Sequence, residues 1–279
     1  MPAIDDAQTE EQAKGLTDLE LLIRAAEAAG EIASRYSGPT ARRWDKPGGQ
    51  GPVTEADLAV NALLEEMLPE ARPDYGWLSE ETEDSADRLS RDSVFIIDPI
   101  DGTRAFAEGS RTWAHSLAIA TAGRVTAAVI YLPQRGLMYT AAQGQGAARN
   151  GTPIRASSLT DLALAEVLTA RPNLAAEHWR TRNAPGFTRS YRPSLAYRMA
   201  KVADGRAGAM LTLRRSWEWD IAAGDLILRE AGGQATDRLG HDLRFNNPVP
   251  LLNGVVAGPP ALHKELIAAL DPDGPGIAS

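Results

Sequence analysis

The run Asp98-Pro99-Ile100-Asp101-Gly102-Thr103 sets two carboxylates three positions apart across a proline-led turn. It follows the short apolar run Val94-Phe95-Ile96-Ile97, which reads as a buried strand, so both acids sit at the end of a rigid support. Hard divalent cations such as Mg²⁺ take oxygen ligands, and a tight turn frees a backbone carbonyl, here that of Ile100, to join them. Gly102 and Thr103 open a short helical stretch over 103–108, whose free amide groups form the kind of place where a phosphate binds. Asp, Pro and Gly also build ordinary surface turns, and Asp is a common helix cap. Burying a strand up to a pair of carboxylates is nevertheless costly unless something compensates their charge.

Three further acidic segments have an ordinary reading as well as a chemical one. Glu80-Glu81, within WLSEETED at 77–84, resembles a solvated acidic face. Asp220, in Trp219-Asp220-Ile221-Ala222-Ala223-Gly224, suits the start of a helix, and the small residues after it suggest the close approach of another backbone. Thr54-Glu55-Ala56-Asp57 reads as a capping interaction. Each segment alone is a weak signal; the four together, spread over most of the chain, are not.

The elements that must position these residues follow from periodicity. Thr17 with Glu20 makes a capping-box start for a first helix. Residues 39–52 read as a loop, and a second helix is predicted over 54–68. Residues 94–98, 115–121, 125–132 and 137–140 read as strands, the last three as an antiparallel meander. Strands at 166–170, 207–213 and 254–257 then alternate with helices at 194–204, 220–231 and 260–270. Helices followed by a run of strands, and then α/β alternation, imply two sheets layered with helices. We expect a polar leader over 1–16, an α+β part over 17–155 carrying most of the acids, and an α/β part over 156–279 supplying Asp220 and substrate contacts.

Composition narrows the class. The 279 residues carry a formal net charge of -8, which repels nucleic-acid backbones and anionic membranes, so neither is an expected partner. There are no cysteines, which excludes thiolate metal sites and thiol nucleophiles. No secretory signal is legible at the acidic start, and the longest apolar stretch, near 116–132, is broken by Gly123 and Arg124; a cytoplasmic protein is expected.

Asp57, Glu80-Glu81, the 98–103 run and the Trp219-Asp220 segment, in this order and spacing, resemble the inositol monophosphatase superfamily. GLMYTAAQGQGAARNGTPI at 136–154 and EAGG at 230–233 are similar too. The resemblance implies a layered αβαβα fold and Mg²⁺-dependent hydrolysis of a small phosphate ester, with two or three ions, lithium sensitivity and, as in many relatives, a homodimer. It places Glu80, Asp98 and the Ile100 carbonyl on a first ion and Asp98, Asp101 and Asp220 on a second. Thr103 with Asp57 would orient the attacking water, with Glu80 completing the catalytic set. The amides of Gly102 and Thr103 would hold the phosphate, with Asp220 also facing the substrate. Lys46 matches a family lysine near the site.

Within the superfamily, PVTEAD at 52–57 and LSEE at 78–81 look most similar to bacterial 3′(2′),5′-bisphosphate nucleotidases, which act on adenosine 3′,5′-bisphosphate. That branch commonly carries Ser-x-Lys where this chain has Ser194-Leu195-Ala196, so the missing cation must come from Arg198, Arg214 or Arg215 if the substrate is a nucleotide. An inositol- or sugar-phosphate phosphatase is the neighbouring reading. A non-catalytic metal- or ligand-binding regulator of the same fold is the reading from another class; it predicts loss of a metal ligand or of the Asp57–Thr103 pair, and all of these are present.

Overall fold

The structure, a computed structural model, describes residues 15–36, 40–46 and 51–275. Most of the polar leader lies outside the described residues, as do residues 39 and 47–50 of the segment read as a loop.

The helix α1 (Asp18–Arg35) begins at Thr17 with the expected capping box, Thr17 and Glu20 satisfying each other's exposed backbone amides. The helix α2 (Glu55–Ala71) begins the same way at Thr54 with Asp57, and Pro69 in its last turn precedes its end at Arg72. Between the two helices lies a correction. Arg43–Asp45 (β1), within the segment read as a loop, pairs antiparallel with Pro52–Thr54 (β2), which runs from the end of that segment into the cap of α2; both are too short to show an alternation.

A seven-stranded sheet follows, in the order β3 (Gly76–Ser79), β4 (Ser93–Asp101), β5 (Ala114–Thr121), β6 (Arg124–Leu132), β7 (Leu137–Ala142), β8 (Ala147–Arg149) and β9 (Thr152–Pro153). The meander β5–β7 is antiparallel, as expected; β4, β8 and β9 extend it in the same sense, and β3 runs parallel to β4, with β3, β8 and β9 strands that periodicity did not show. Alternate residues serve opposite faces. Phe95, Ile97, Leu117, Ile119 and Val129 pack under α1 and α2. Val94, Ile96, Ala118, Ala128 and Ile130 face α4 (Leu195–Ala203) and α5 (Glu218–Glu230). Burial on both faces explains why these strands read as continuous apolar runs.

The second sheet has the order β11 (Thr188–Ser190), β10 (Glu166–Leu168), β12 (Ala209–Thr212), β16 (Val255–Gly258) and β14 (Gln234–Thr236). Leu168, Met210, Val255 and Ala257 share the α4/α5 core, and Val167, Leu211 and Val256 pack against α6 (Pro260–Ala269). The two-residue strands β13 (Ser216–Trp217) and β15 (Leu251–Leu252) pair in front of α5. The result is five layers, αβαβα. No helix among the described residues is long and apolar enough to cross a membrane.

The small residues after Asp220 mark the close approach of α4 to α5. A Cβ on Gly224 would lie 2.6 Å from Met199 Cβ and from its sulfur. Gly224→Ala should therefore lose about 1–3 kcal/mol to overpacking. That outweighs the roughly 1 kcal/mol that alanine gains over glycine inside a helix. Urea unfolding should show the net loss; a more stable variant would mean that Met199 yields without cost.

Candidate active site

The one parallel pair of the seven-stranded sheet brings two chain-distant acidic segments to the same edge. Ser79 pairs with Ile97, the Glu80 amide donates to the Ile97 carbonyl at 3.2 Å, and both strands run out there into acids. β4 continues through Asp98 to Asp101 with its register against β5 shifted between them, so the turn bends away from the ladder. Gly102 takes φ +94°, a left-handed conformation that glycine adopts without strain, and the short helix α3 (Thr103–Ala107) starts behind it.

One carboxylate oxygen each from Asp98, Asp101 and Asp220 lie within 4.8 Å of one another. Asp98 and Asp101 are 1% and 4% exposed, and Asp220, in the first turn of α5, is half-buried. Asp98 accepts the Ile100 amide at 3.0 Å. Asp101 accepts the Ser194 hydroxyl and the Ala196 amide, both at 2.6 Å, and the Leu195 amide at 3.3 Å, so the start of α4 holds it. Sequence reasoning singled out Ser194 for what followed it and missed this contact; its place at a helix start was the available signal.

The other expected residues surround this cluster. Thr103 donates from its hydroxyl, 3.1 Å from both Asp57 Oδ1 and the Ile100 carbonyl. The second oxygen of Asp57 accepts the Thr54 amide at 2.9 Å and hydroxyl at 2.5 Å, so this residue caps α2 and holds Thr103 at once. Glu80 stands beside the cluster rather than in it. Its carboxylate takes Lys46 Nζ at 2.9 Å, and the same ammonium reaches Glu81 at 2.7 Å. Its charge still bears on Asp98, Asp57 and Asp220.

The electrostatics follow from gathering acids out of water. Burial pushes Asp57 and Asp101 up to about 6, in spite of the hydrogen bonds that each accepts. Burial, with Glu80 adding to it, pushes Glu81 up to about 7 against the pull of Lys46. Asp98 and Asp220 are raised well above the carboxylate range by burial and then by their acidic neighbours. Burial works against the charge on Lys46, yet Glu80 and Glu81 raise its pKa. His115 lies behind the turn. Burial lowers it to about 4, and its Nδ1–H donates to the Pro99 carbonyl at 2.5 Å, bracing the turn from behind.

Among the described residues the cluster offers three carboxylate oxygens, a donor set that suits a hard divalent cation. The sequence profile of the inositol monophosphatase family matches residues 17–273. The chain belongs to the inositol monophosphatase family. It is 32% identical to the Nus factor SuhB of Escherichia coli strain K12, over 90% of this chain and 94% of that protein. It is also 32% identical to an inositol-1-monophosphatase of Mesorhizobium japonicum, over 90% and 95%. Among solved structures, the extragenic suppressor protein suhB of Bartonella henselae superposes with a TM-score of 0.76 at 29% identity, covering 91% of this chain and 98% of that one. An inositol monophosphatase of Thermotoga maritima superposes with 0.77 at 28%, covering 90% and 95%. The expected superfamily and layered fold hold, and as a family member the chain is a metal-dependent hydrolase of phosphoric monoesters. These relatives carry suppressor and inositol monophosphatase names, so the particular resemblance to bisphosphate nucleotidases does not come from them.

A group whose folded pKa is raised stabilises the fold below its unfolded pKa and loses that contribution as pH rises through the folded value. With chelator present, the stabilising contribution of Asp57, Asp101 and Glu81 is therefore lost as pH rises from about 4 through about 6 to 7. Mg²⁺ should then raise the melting temperature more at about pH 7.5 than at about pH 5, because protons compete for the ligand oxygens at the lower pH. Differential scanning calorimetry checks this; equal Mg²⁺ shifts at both pH values would contradict it.

Proposed function

We propose that this chain is a Mg²⁺-dependent phosphomonoesterase whose substrate carries a second anionic group, with a nucleoside 3′(2′),5′-bisphosphate as the leading candidate. The three-acid cluster beside the Thr103–Asp57 pair carries the phosphatase part of the reading. Two or three bound Mg²⁺ ions would neutralise the acids, polarise the phosphoryl oxygens and make hydroxide available near neutral pH. We assign Glu80, Asp98 and the Ile100 carbonyl to a first ion and Asp98, Asp101 and Asp220 to a second. Thr103 gives its proton to Asp57 or Ile100, which leaves its lone pairs to accept from a water and fix the direction of attack. The water oxygen would bond to phosphorus as the ester P–O bond breaks, one water proton would pass to the departing alkoxide oxygen, and the alcohol and inorganic phosphate, which keeps the other proton, would leave. The amides of Gly102 and Thr103 are assigned to the phosphate.

The second anionic group is argued from arginines. Arg198 and Arg214 are each close enough to act on Asp220 and to repel each other, in a chain that is acidic overall. Arg198 is a fixed charge: it is 4% exposed, donates to the Arg192 and Pro193 carbonyls and lies 4.4 Å from the centre of the Tyr191 ring. Arg214 is exposed and free to meet a ligand. This pair supplies the cation that Ala196 does not. Myo-inositol 1-phosphate is the second reading, favoured by the name of the Mesorhizobium relative.

Phosphate release under Mg²⁺ separates the two. Adenosine 3′,5′-bisphosphate should be hydrolysed with a kcat/KM at least about tenfold above that of myo-inositol 1-phosphate, and Arg214→Met should cost the bisphosphate about 10- to 100-fold, the worth of one charged hydrogen bond. The reverse preference would overturn the nucleotide reading and leave the phosphatase reading standing. Asp220→Asn should bring turnover with either ester to background while circular dichroism and melting stay near wild type; retained turnover would remove Asp220 from the metal set.

A further inference from the structure

Away from the cluster, a polar network built on two buried charges, Arg88 and Glu218, and reaching the surface at Asp84, ties together the two segments that deliver acids to it from opposite parts of the chain. Arg88, 2% exposed, lies in the turn Ala86–Ser90 after the acidic loop. Its Nε and Nη2 donate to the two carboxylate oxygens of Asp84 at 2.6 and 2.8 Å. Nη1 donates to Asn246 Oδ1 at 2.7 Å, and Nη2 also donates to the Asn247 carbonyl at 3.0 Å. Asn246 returns its side-chain amide to the Arg88 carbonyl at 3.2 Å. From the far side, the backbone amides of Asn246 and Asn247 and the side-chain amide of Asn247 donate to the Glu218 carboxylate at 2.7, 2.9 and 2.6 Å. Glu218 is fully buried and opens α5, two residues before Asp220. At the other end, Asp84 lies four residues after Glu80.

We propose that Arg88 and Asn247 are positioning residues: the chain Asp84–Arg88–Asn246–Asn247–Glu218 sets the spacing between the loop carrying Glu80 and the helix carrying Asp220, and with it the affinity of the site for its divalent cation. Fold stability alone does not call for such a network. Desolvating buried ions costs several kcal/mol each, and well-packed apolar residues of similar volume commonly stabilise as well or better. What a bidentate arginine–carboxylate pair and a doubly held asparagine turn provide is a fixed relative geometry. Cation affinity is sensitive to that geometry, because Mg²⁺ demands near-octahedral oxygens at short range. The Glu80 carboxylate is otherwise held by the Lys46 ammonium, which it shares with Glu81. The inference rests on the metal reading proposed above.

The test is calorimetric titration of the full chain with MgCl₂ for wild type, Arg88→Met, Arg88→Lys and Asn247→Ala, together with melting curves and phosphate release as a function of Mg²⁺. Arg88→Met and Asn247→Ala should weaken Mg²⁺ binding by about tenfold or more. Turnover at saturating Mg²⁺ should recover to within about threefold of wild type, as expected when ground-state metal binding is lost and not transition-state contacts. Arg88→Lys, which keeps the charge but not the fork, should fall between. Lower melting temperatures with unchanged Mg²⁺ affinity would make the network merely structural and overturn the proposal. If Arg88→Met does not fold, Asn247→Ala, which leaves the Arg88–Asp84 pair intact, carries the test. Wild-type protein that binds no Mg²⁺ would overturn the metal reading itself, an outcome distinct from variants that bind as wild type does.

Discussion

Mutual repulsion among carboxylates held out of water is the constraint to which the rest of this structure answers. Two unit charges at the 4.8 Å that bounds the Asp98, Asp101 and Asp220 oxygens repel by roughly 3–4 kcal/mol at an effective dielectric of about 20. Three such pairs, with Glu80 acting on two of the members, amount to most of the stability of an ordinary domain. The cluster must therefore hold protons or cations, and the raised pKa values express the first alternative. At neutral pH a divalent cation is the stronger answer, because it cancels charge without giving up the oxygen lone pairs.

The scaffold offsets part of the repulsion by aiming helix starts at the acids. Asp57 lies in the first turn of α2, Asp220 in the first turn of α5, and Asp101 accepts from the first residues of α4. Each helix start contributes about 0.3–1 kcal/mol, up to about 2 in partly buried geometry. Even together these fall short of the repulsion among three ionised neighbours. The helices therefore orient the acids and soften their mutual repulsion, and leave room for the charge of an ion. The same capping hydrogen bonds that begin the helices fix the side chains of the site, so local folding and site assembly share their contacts.

That sharing explains what was legible in the sequence. The capping boxes at Thr17 and Thr54, the buried strand before Asp98 and the helix behind Gly102 are local patterns, each set by residues three or four apart, and the structure has them where the pattern puts them. The acids could be named, and their convergence expected from the family resemblance. Contacts that bridge distant segments had no local signature. The hairpin of β1 with β2 and the parallel strand β3 are three or four residues long and owe their conformation to their partners. The ammonium of Lys46 between Glu80 and Glu81, the grip of Ser194 on Asp101 and the reach of Arg88 to Asn246 span 34, 93 and 158 positions, beyond any periodicity. WLSEETED looked like a solvated face because nothing within it shows that β3 lies against β4.

The layered fold also divides the work between its parts. Asp98, Asp101 and Glu80 leave the seven-stranded sheet at one edge, where strand ladders on rigid supports set their spacing; Asp220 arrives on a helix wedged between the two sheets. The arginines and Tyr191 beside the cluster come instead from around α4 and from the turn between β12 and β13, outside that sheet. A change there leaves the sheet-borne acids where the strand ladders and the turn at Gly102 hold them.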